Sequence, residues 1–398
     1  MAKLSISEKE HKSRIKHVRK VLARRNLDAL YLTSGVSMFY LTGYSFISTE
    51  RPAALIIPLD GKITFLGPLL EKDHVPIETR LIEDVRTYVD YPGDKHPIEH
   101  FASFLADMGL AKGRIGTDNK AGALGMFGYR GLSLSKKLAE AKFVEMSDLV
   151  PAMRLTKSAE EIELMRESCK WANLAMKLLQ EHLAEGMWDV EVELAASLEA
   201  SAAMKKTLGA DYVPKRSILP VNLCIRGQVG EMSAIPHAMA SKRMIRKGDV
   251  VIGEVGVDIG GYTCELERTF IVGNPSPKQE RYFNVAVKAQ EAAFKAFTPE
   301  AKCSDIDKAT IVLFKKAGLS HLVKHHTGHG LGLEGHEPPW LDIGNNQPLK
   351  EGMIVSCEPG IYETSFAGFR HSDTVLVTKK GAEIMTYYPR ALEDLIVK

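Results

Sequence analysis

The sequence predicts two domains, an α/β domain followed by an α+β domain. Its 398 residues exceed the roughly 250–300 residues at which a single hydrophobic core stops growing. Up to about residue 150, helix-like and strand-like patterns alternate, which is typical of an α/β sheet. From residue 209 onward, short glycine-rich strand patterns are interrupted by helices, which indicates an α+β domain. We place the two domains at 1–153 and 154–398.

Composition and charge exclude several classes of protein. The 52 basic and 50 acidic residues give a net charge of +2, so bulk electrostatics do not favour a nucleic-acid partner. No apolar run approaches the ~18 residues of a membrane helix, and the basic N-terminus lacks the apolar segment of a signal peptide. The five cysteines are odd in number and widely spaced, which argues against a disulfide framework. We expect a cytoplasmic protein that binds neither nucleic acid nor membrane.

The elements of the first domain follow from hydrophobic periodicity. Apolar residues at helical spacing predict helices, and short apolar runs predict strands. In chain order these are helix 7–25, strands 29–32, 53–57 and 63–66, helix 97–108, strand 114–116 and helix 132–141. The dipeptide Asp60-Gly61 between the second and third strands is typical of a hairpin turn.

The second domain opens with a helix whose start is marked in the sequence. Ser158 and Glu161 have the spacing of a capping box, in which each side chain satisfies a free backbone amide at the helix start. Further helices are predicted over 189–206, 278–297 and 304–316. Between them, polar residues occupy positions where a strand would be apolar. Candidate functional residues therefore concentrate in this domain.

Three glutamates belong to predicted strands. Glu254 ends the apolar run 250–253, and a buried carboxylate there costs several kcal/mol unless it is paired or binds a metal. Glu265 and Glu267 are two residues apart, so on a strand they point to the same face. Two neighbouring carboxylates either raise one pKa or bind a cation. The alternative is an exposed edge strand on which Arg268 and nearby lysines pair with them.

Histidines form the second concentration of polar residues. Four of the thirteen lie within the segment 325–336, namely His325, His326, His329 and His336. A single histidine is usually structural, but this density beside carboxylate-bearing strands favours catalysis or ligand binding. The glycines around His329 permit close approach of the backbone. Glu358 follows the apolar run 353–356 and precedes Pro-Gly, which places it at the end of a strand.

The ordered motifs resemble the creatinase/prolidase superfamily. They are Tyr40-Leu-Thr-Gly-Tyr, Arg154-Leu-Thr-Lys-Ser-Ala-Glu-Glu, Pro236-His-Ala, Gly248-Asp-Val-Val, Glu267-Arg-Thr, His329-Gly-Leu-Gly, His336-Glu and Cys357-Glu-Pro-Gly. The resemblance extends over almost the whole chain. It implies a small creatinase-type N-terminal domain, a C-terminal pita-bread domain and a hydrolase that cleaves a C–N bond in a small molecule or dipeptide. It also implies a homodimer.

The resemblance implies metal ligands, but this chain departs from the family at three of five positions. The peptidases of the family hold two ions with Asp, Asp, His, Glu and Glu, and the matching residues here are Glu254, Glu265, His329, Glu358 and Ser372. Glu254 and Glu265 keep a carboxylate on a longer side chain, whereas Ser372 has no carboxylate. We therefore expect at most one divalent ion, such as Mn²⁺, Zn²⁺ or Co²⁺, per chain, or none.

Other departures favour the metal-free member, creatinase. Glu267 and Glu358 match its substrate-binding glutamates, and His237 matches its proton-transferring histidine. Arg51 lies near the position of an arginine that reaches the substrate carboxylate from the other subunit, but the second such arginine, expected after His336, is missing.

The remaining candidate residues are expected in catalysis or in substrate binding. Glu267 and Glu358 are also expected to be catalytic, and His336 is expected in acid–base catalysis or substrate orientation. Arg370 and His329 are expected in substrate binding.

Several functions stay open at this point. The first is a peptidase-like hydrolase of Xaa-Pro dipeptides. The second is a metal-independent amidinohydrolase or amidohydrolase, similar to creatinase or ectoine hydrolase, with a sulfonium lyase as a minor variant. The third, from a different class, is a non-catalytic pita-bread binding module. Relatives of that kind lose the catalytic histidines, whereas this chain retains His237, His329 and His336.

Overall fold

The computed structural model describes residues 3–91, 93–124, 129–239 and 242–398. Its internal contacts divide the chain into two units. The first is Ile6–Met153, and the second is Arg154–Lys398 together with the N-terminal residues as far as Ser5. No helix among the described residues is both long and apolar enough to cross a membrane.

The N-terminal unit is an α/β structure built on one six-stranded sheet. Its elements are α1 (Glu8–Arg24), β1 (Ala29–Leu32), α2 (Gly35–Thr42), β2 (Ala54–Pro58), β3 (Thr64–Pro68), α3 (Val75–Glu78), β4 (Asp84–Tyr88), α4 (Pro97–Asp107), β5 (Arg114–Thr117), α5 (Leu134–Lys137), β6 (Lys142–Glu145) and α6 (Leu149–Arg154). The strand order is β4-β3-β2-β1-β5-β6. The two pairs within β1–β3 are antiparallel and the others are parallel, so the sheet is mixed.

The predicted α/β class of this unit is confirmed, but α2, α3 and β4 were not predicted, and the last part of the unit also differs from the prediction. The helix expected over 132–141 is only the single turn α5, and the strand β6 follows it. Strand β6 was missed because it is a short, partly exposed edge strand with two charged residues among its four. Its parallel pairing with β5 defines it, and local periodicity does not reveal such a pairing.

The C-terminal unit combines long helices with three small sheets. Its elements are α7 (Ala159–His182), α8 (Asp189–Leu208), β7 (Val221–Cys224), β8 (Val250–Ile259), β9 (Tyr262–Thr263), β10 (Leu266–Val272), α9 (Pro277–Ala296), α10 (Cys303–Lys316), β11 (Gly328–Gly330), β12 (Glu337–Leu341), β13 (Ile354–Cys357), β14 (Gly360–Glu363), β15 (Ala367–Arg370), β16 (Asp373–Thr378), β17 (Gly381–Ile384) and β18 (Ile396–Val397). The sheets have the orders β18-β10-β8-β7, with β9 beside β8, then β12-β11-β13-β16-β17, and β14-β15. This is the predicted α+β domain.

The start of α7 agrees with the predicted capping box. The Ser158 hydroxyl accepts a hydrogen bond from the Glu161 amide at 3.3 Å, and the Ser158 amide donates to the Glu161 carboxylate at 2.9 Å. The same carboxylate accepts from the Tyr262 hydroxyl at 2.8 Å, so the cap also ties the helix to β9.

A fully buried ion pair joins two sheets of this unit. Arg268 on β10 and Asp373 on β16 are both completely buried, with 2.9 Å between Nη2 and Oδ1. The guanidinium also donates to four backbone carbonyls, those of Glu267, Ser372, Tyr388 and Pro389. Arg268 therefore holds the C-terminal segment against both sheets, and it does not neutralise Glu265 or Glu267 as the alternative interpretation of those residues required.

We predict that Arg268→Met destabilises the C-terminal unit by about 3–5 kcal/mol, because it leaves the Asp373 carboxylate buried without its counter-charge. Urea unfolding followed by tryptophan fluorescence measures this, since all three tryptophans (Trp171, Trp188 and Trp340) lie in that unit. The matched control is Lys177→Met, which breaks an exposed pair with Glu181 and should cost less than about 1 kcal/mol. Equal losses in both variants would contradict the role of Arg268.

Candidate active site

Two of the predicted glutamates face each other across neighbouring strands. Glu254 lies on β8 and Glu267 on β10, and their Cα atoms are direct partners in the antiparallel register. The prediction that Glu254 ends its strand was wrong, because β8 continues to Ile259. The continuation, residues 255–259, alternates apolar residues with a glycine and an aspartate and pairs with β7 and β9.

His329 is held so that one ring nitrogen faces the carboxylates. Its Nδ1 lies 3.0 Å from the Gly330 carbonyl, which only accepts hydrogen bonds, so Nδ1 carries the proton. Nε2 then lies 3.0 Å from Glu358 Oε1 and 3.6 Å from Glu265 Oε2. It makes no directed hydrogen bond to any residue within the described part of the chain. The contacts of Nε2 with the two carboxylates are therefore electrostatic and favour the protonated ring, and Nε2 can bind a metal ion only after it loses its proton.

The glycines beside His329 are required by close packing. A Cβ at Gly328 would lie 2.2 Å from the Ser356 carbonyl oxygen, and one at Gly330 would lie 2.2 Å from the Pro338 carbonyl oxygen. Strand β11 can therefore lie between β12 and β13 only with glycine at both positions. This agrees with the close backbone approach expected from the sequence.

Ser372 contacts the carboxylate beside His329. Its hydroxyl donates to Glu265 Oε1 at 2.6 Å. Burial, and then the negative charge of Glu358, raise the pKa of Glu265 well above its usual range. Burial also acts to raise the pKa of Glu358, but its contact with His329 prevails and lowers that pKa to about 2. The two carboxylates thus have opposite tendencies to ionise.

Glu267 is bound by a buried arginine. Arg370 Nε and Nη2 donate to its two carboxylate oxygens, each at 2.5 Å. Arg370 Nη1 also donates to the Tyr362 hydroxyl at 3.2 Å, and that hydroxyl donates to His325 Nε2 at 2.7 Å. Burial raises the pKa of Glu267 to about 7 although Arg370 acts to lower it. Arg370, which we expected to bind substrate, therefore orients Glu267 in this structure.

His336 lies against His329. The rings stack with centroids 3.7 Å apart and an interplanar angle of 20°. Burial, followed by the neighbouring charge of His329, lowers the pKa of His336, and His237 acts in the same direction from nearby. The neutral imidazole is the form that can accept a proton near neutral pH.

His237 is exposed on a loop near His336. A single 3₁₀ turn, Gly230–Ala234, precedes this loop. The side-chain amide of Gln228 donates to the carbonyls of Ile235 and Pro236, at 3.0 and 3.2 Å, and so anchors the loop.

Two residues of the site, Arg226 and Ser356, were not predicted from the sequence. Arg226 Nη2 lies 2.5 Å from Glu254 Oε2. The Ser356 hydroxyl accepts from the His329 amide at 3.0 Å and lies 3.3 Å from Glu358 Oε1. One signal could have drawn attention to Arg226. It is a charged residue followed by glycine, two residues after the end of β7.

Glu337, next to His336, is buried between two cations of the linker motif. Lys157 Nζ lies 2.9 Å from its carboxylate, and Arg154 pairs with the same group. Burial acts to raise the pKa of Glu337, but the two cations prevail and lower it. The motif Arg154-Leu-Thr-Lys157, which contributed to the family resemblance, thus holds the segment that carries His336.

Arg51 belongs to the N-terminal unit. Its guanidinium pairs with Asp90 at 2.9 Å and with Glu50 at 2.8 Å.

With this geometry in place, the chain can be compared with known proteins. Residues 163–379 match metallopeptidase family M24, and residues 14–156 match the creatinase/prolidase N-terminal domain. The chain belongs to metallopeptidase family M24. The predicted superfamily, its pita-bread fold and its hydrolase class are thereby confirmed.

Relatives of family M24 match this chain along its full length. Xaa-Pro dipeptidase of Pyrococcus furiosus is 28% identical over 382 residues, which are 96% of this chain and 99% of the relative. The structure of a prolidase from Thermococcus sibiricus superposes with a TM-score of 0.81 at 26% identity and covers 98% of this chain and 99% of its own. Dipeptidase PepE from Mycobacterium ulcerans superposes with a TM-score of 0.80 at 27% identity, covering 99% of both chains.

The site contains groups that can hold a divalent ion. Ligand atoms of Glu265, His329 and His336 lie within 4.8 Å of one another, and so do those of Glu265, Glu267 and Glu358. The buried Nε2 of His329, which has no hydrogen-bond partner among the described residues, faces the same space. Carboxylates and imidazoles are common ligands of divalent metal ions in proteins.

We predict that the metal-free protein loses stability above neutral pH through His329. Burial lowers the pKa of His329, but Glu265 and Glu358 outweigh it and raise that pKa from 6.5 to about 9. A raised pKa in the folded state stabilises the fold fully below the unfolded value, and this contribution is lost as the pH rises through the folded value.

Urea unfolding with a chelator tests this. The stability difference between the parent protein and His329→Gln should shrink between about pH 6 and about pH 9.5. The exposed His321→Gln is the control and should show a constant difference. A pH-independent difference for His329→Gln would contradict the prediction.

Proposed function

We propose that this chain hydrolyses the C–N bond of a small Xaa-Pro dipeptide with the help of one divalent ion. The observation that carries the proposal is the convergence of Glu265 and Glu358 on His329 Nε2, at 3.6 and 3.0 Å. The Xaa-Pro dipeptidases among its full-length relatives support a dipeptide as the substrate.

Glu265, His329 and Glu358 are the residues that would hold the ion, with Glu254 as a further candidate. A bound ion would supply Lewis-acid polarisation of the scissile carbonyl. Ser372 offers a neutral hydroxyl where the family resemblance implies a carboxylate that bridges two ions. We therefore expect a single ion, Mn²⁺, Zn²⁺ or Co²⁺.

The remaining residues serve proton transfer and orientation. His237 is exposed and close to His336, so we assign it the transfer of a proton to the leaving nitrogen. His336 orients the substrate beside His329 or exchanges protons with His237. Glu267, fixed by Arg370, presents a carboxylate for a cationic group of the substrate.

We predict that His237→Ala lowers turnover of an Xaa-Pro dipeptide by about 10²–10⁴-fold, the usual contribution of a general acid or base. Because His237 lies on an exposed loop, the substitution should leave the midpoint of thermal unfolding unchanged. His321→Ala, which removes another exposed histidine of the same unit, is the control and should retain full activity. Full activity in His237→Ala would remove its role in proton transfer.

A chelator separates the proposed function from its alternatives. Loss of dipeptide hydrolysis with chelator, and its recovery on adding back Mn²⁺ or Co²⁺, supports the one-ion peptidase. Hydrolysis of a guanidinium or amidine compound that persists with chelator would favour the metal-independent hydrolase. Inactivity in both assays would favour the binding module.

We further infer that the active form is a homodimer in which Arg51 reaches the active site of the second chain. The present partners of Arg51 are exposed (Asp90 by 58% and Glu50 by 46%), so the guanidinium can exchange them for an anionic group at little cost. The five free cysteines support a reducing, cytoplasmic location.

We predict that Arg51→Lys raises the KM for an Xaa-Pro dipeptide by about tenfold with little change in kcat, because lysine cannot pair with a carboxylate through two hydrogen bonds. Steady-state kinetics measure this, and sedimentation velocity measures the dimer. The control is Arg80→Lys, an exposed arginine of the same unit. An unchanged KM would contradict the proposal that Arg51 contacts the substrate in the second chain's active site. An active enzyme that sediments as a monomer would contradict the dimer.

A further inference from the structure

Arg226 places a permanent positive charge beside Glu254. Its Nη2 lies 2.5 Å from Glu254 Oε2, and the two side chains are partly buried, at 30% and 26% exposure. By the family resemblance, Glu254 occupies a position that serves a pair of ions. We propose that the Arg226 guanidinium takes the place of a second divalent ion at Glu254, so that the site is suited to one ion. This inference rests on the proposed function.

The backbone around Arg226 is shaped to keep the side chain there. Arg226 has φ = 54°, in the left-handed region that side chains other than glycine adopt at a cost. A single carboxylate oxygen, Glu193 Oε1 on α8, accepts from the amides of Ile225 and Arg226 at 2.5 and 2.7 Å. A strained residue stabilised by a dedicated acceptor indicates a position maintained for function.

The charges divide the site into two halves. Glu254 and Glu267, which face each other across β8 and β10, each have their own guanidinium, from Arg226 and Arg370 respectively. Glu265 and Glu358 have no arginine or lysine within ion-pair distance among the described residues, and their one ion-pair contact there is with His329. A divalent ion therefore finds carboxylates that no guanidinium neutralises in the second half alone.

Arg226 opposes a second ion in two ways. Its Nη2 lies against one oxygen of the Glu254 carboxylate, Oε2, and a fixed positive charge at 2.5 Å from that oxygen repels an incoming cation. Restoring the missing carboxylate at Ser372 alone should then be insufficient to create a two-ion site. Removing the guanidinium as well should be required.

Metal content tests this directly. We would compare the parent chain, Ser372→Glu, Arg226→Gln and the double variant, each titrated with Mn²⁺ alone by calorimetry and then analysed for metal after gel filtration. The double variant should bind one ion more than Ser372→Glu, and Ser372→Glu should bind no more ions than the parent. Arg166→Gln, which breaks an ion pair with Glu383 elsewhere in the unit, is the matched control and should leave the count unchanged.

Two results would overturn the inference. One is two tightly bound ions in Ser372→Glu or in the parent chain, because Arg226 would then not exclude the second ion. The other is an equal count in the folded double variant and in Ser372→Glu. If Arg226→Gln does not fold, Arg226→Gly replaces it, since glycine accepts the positive φ.

The proposed function is judged separately, by dipeptide hydrolysis with and without chelator. Dipeptide hydrolysis can be absent while the metal counts agree with the inference. Hydrolysis can also be present while the metal counts contradict it.

Discussion

Neutralisation of buried carboxylates is the constraint on which the C-terminal unit depends. Glu254, Glu265, Glu267 and Glu358 converge on one site, and such charges cannot share a poorly solvated space without compensation. The chain meets this requirement in three ways: guanidinium groups on Glu254 and Glu267, an imidazolium beside Glu358, and a raised pKa at Glu265. The same requirement recurs behind the site, where Arg268 compensates Asp373.

These compensations also explain how the site is positioned. Arg370 is fixed by Glu267 and Tyr362, so the orientation of Glu267 is set before any substrate arrives. His329 is fixed at two points: its amide donates to the Ser356 hydroxyl, and its ring Nδ1 donates to the Gly330 carbonyl. Because the polar groups are held by strands and by one another, little rearrangement is needed on binding, which favours catalysis by a preorganised site.

Much of this arrangement could be predicted from the sequence, and the part that could not has a common cause. The limits of the long helices followed from periodicity and from the Ser158–Glu161 cap, which are local signals. The grouping of Glu265, His329 and Glu358 was implied by the family resemblance, which rests on ordered motifs rather than on periodicity. In contrast, the pairing of Arg226 with Glu254 joins residues 28 apart in sequence, and that of Arg370 with Glu267 joins residues 103 apart. Only the register between strands brings such residues together, and no local pattern reports that register.

The burial of Glu337 sets a limit on how the chain can be divided. Its carboxylate is compensated by Lys157 and Arg154, and the Lys157 amide is bound in turn by the Gly352 carbonyl at 2.8 Å. A fragment that begins at the capping serine, Ser158, would retain every helix from α7 onward but would leave this carboxylate without either cation. A truncated chain or a protease-resistant core of the C-terminal unit should therefore begin before Arg154, even though the first helix of that core begins only at Ala159.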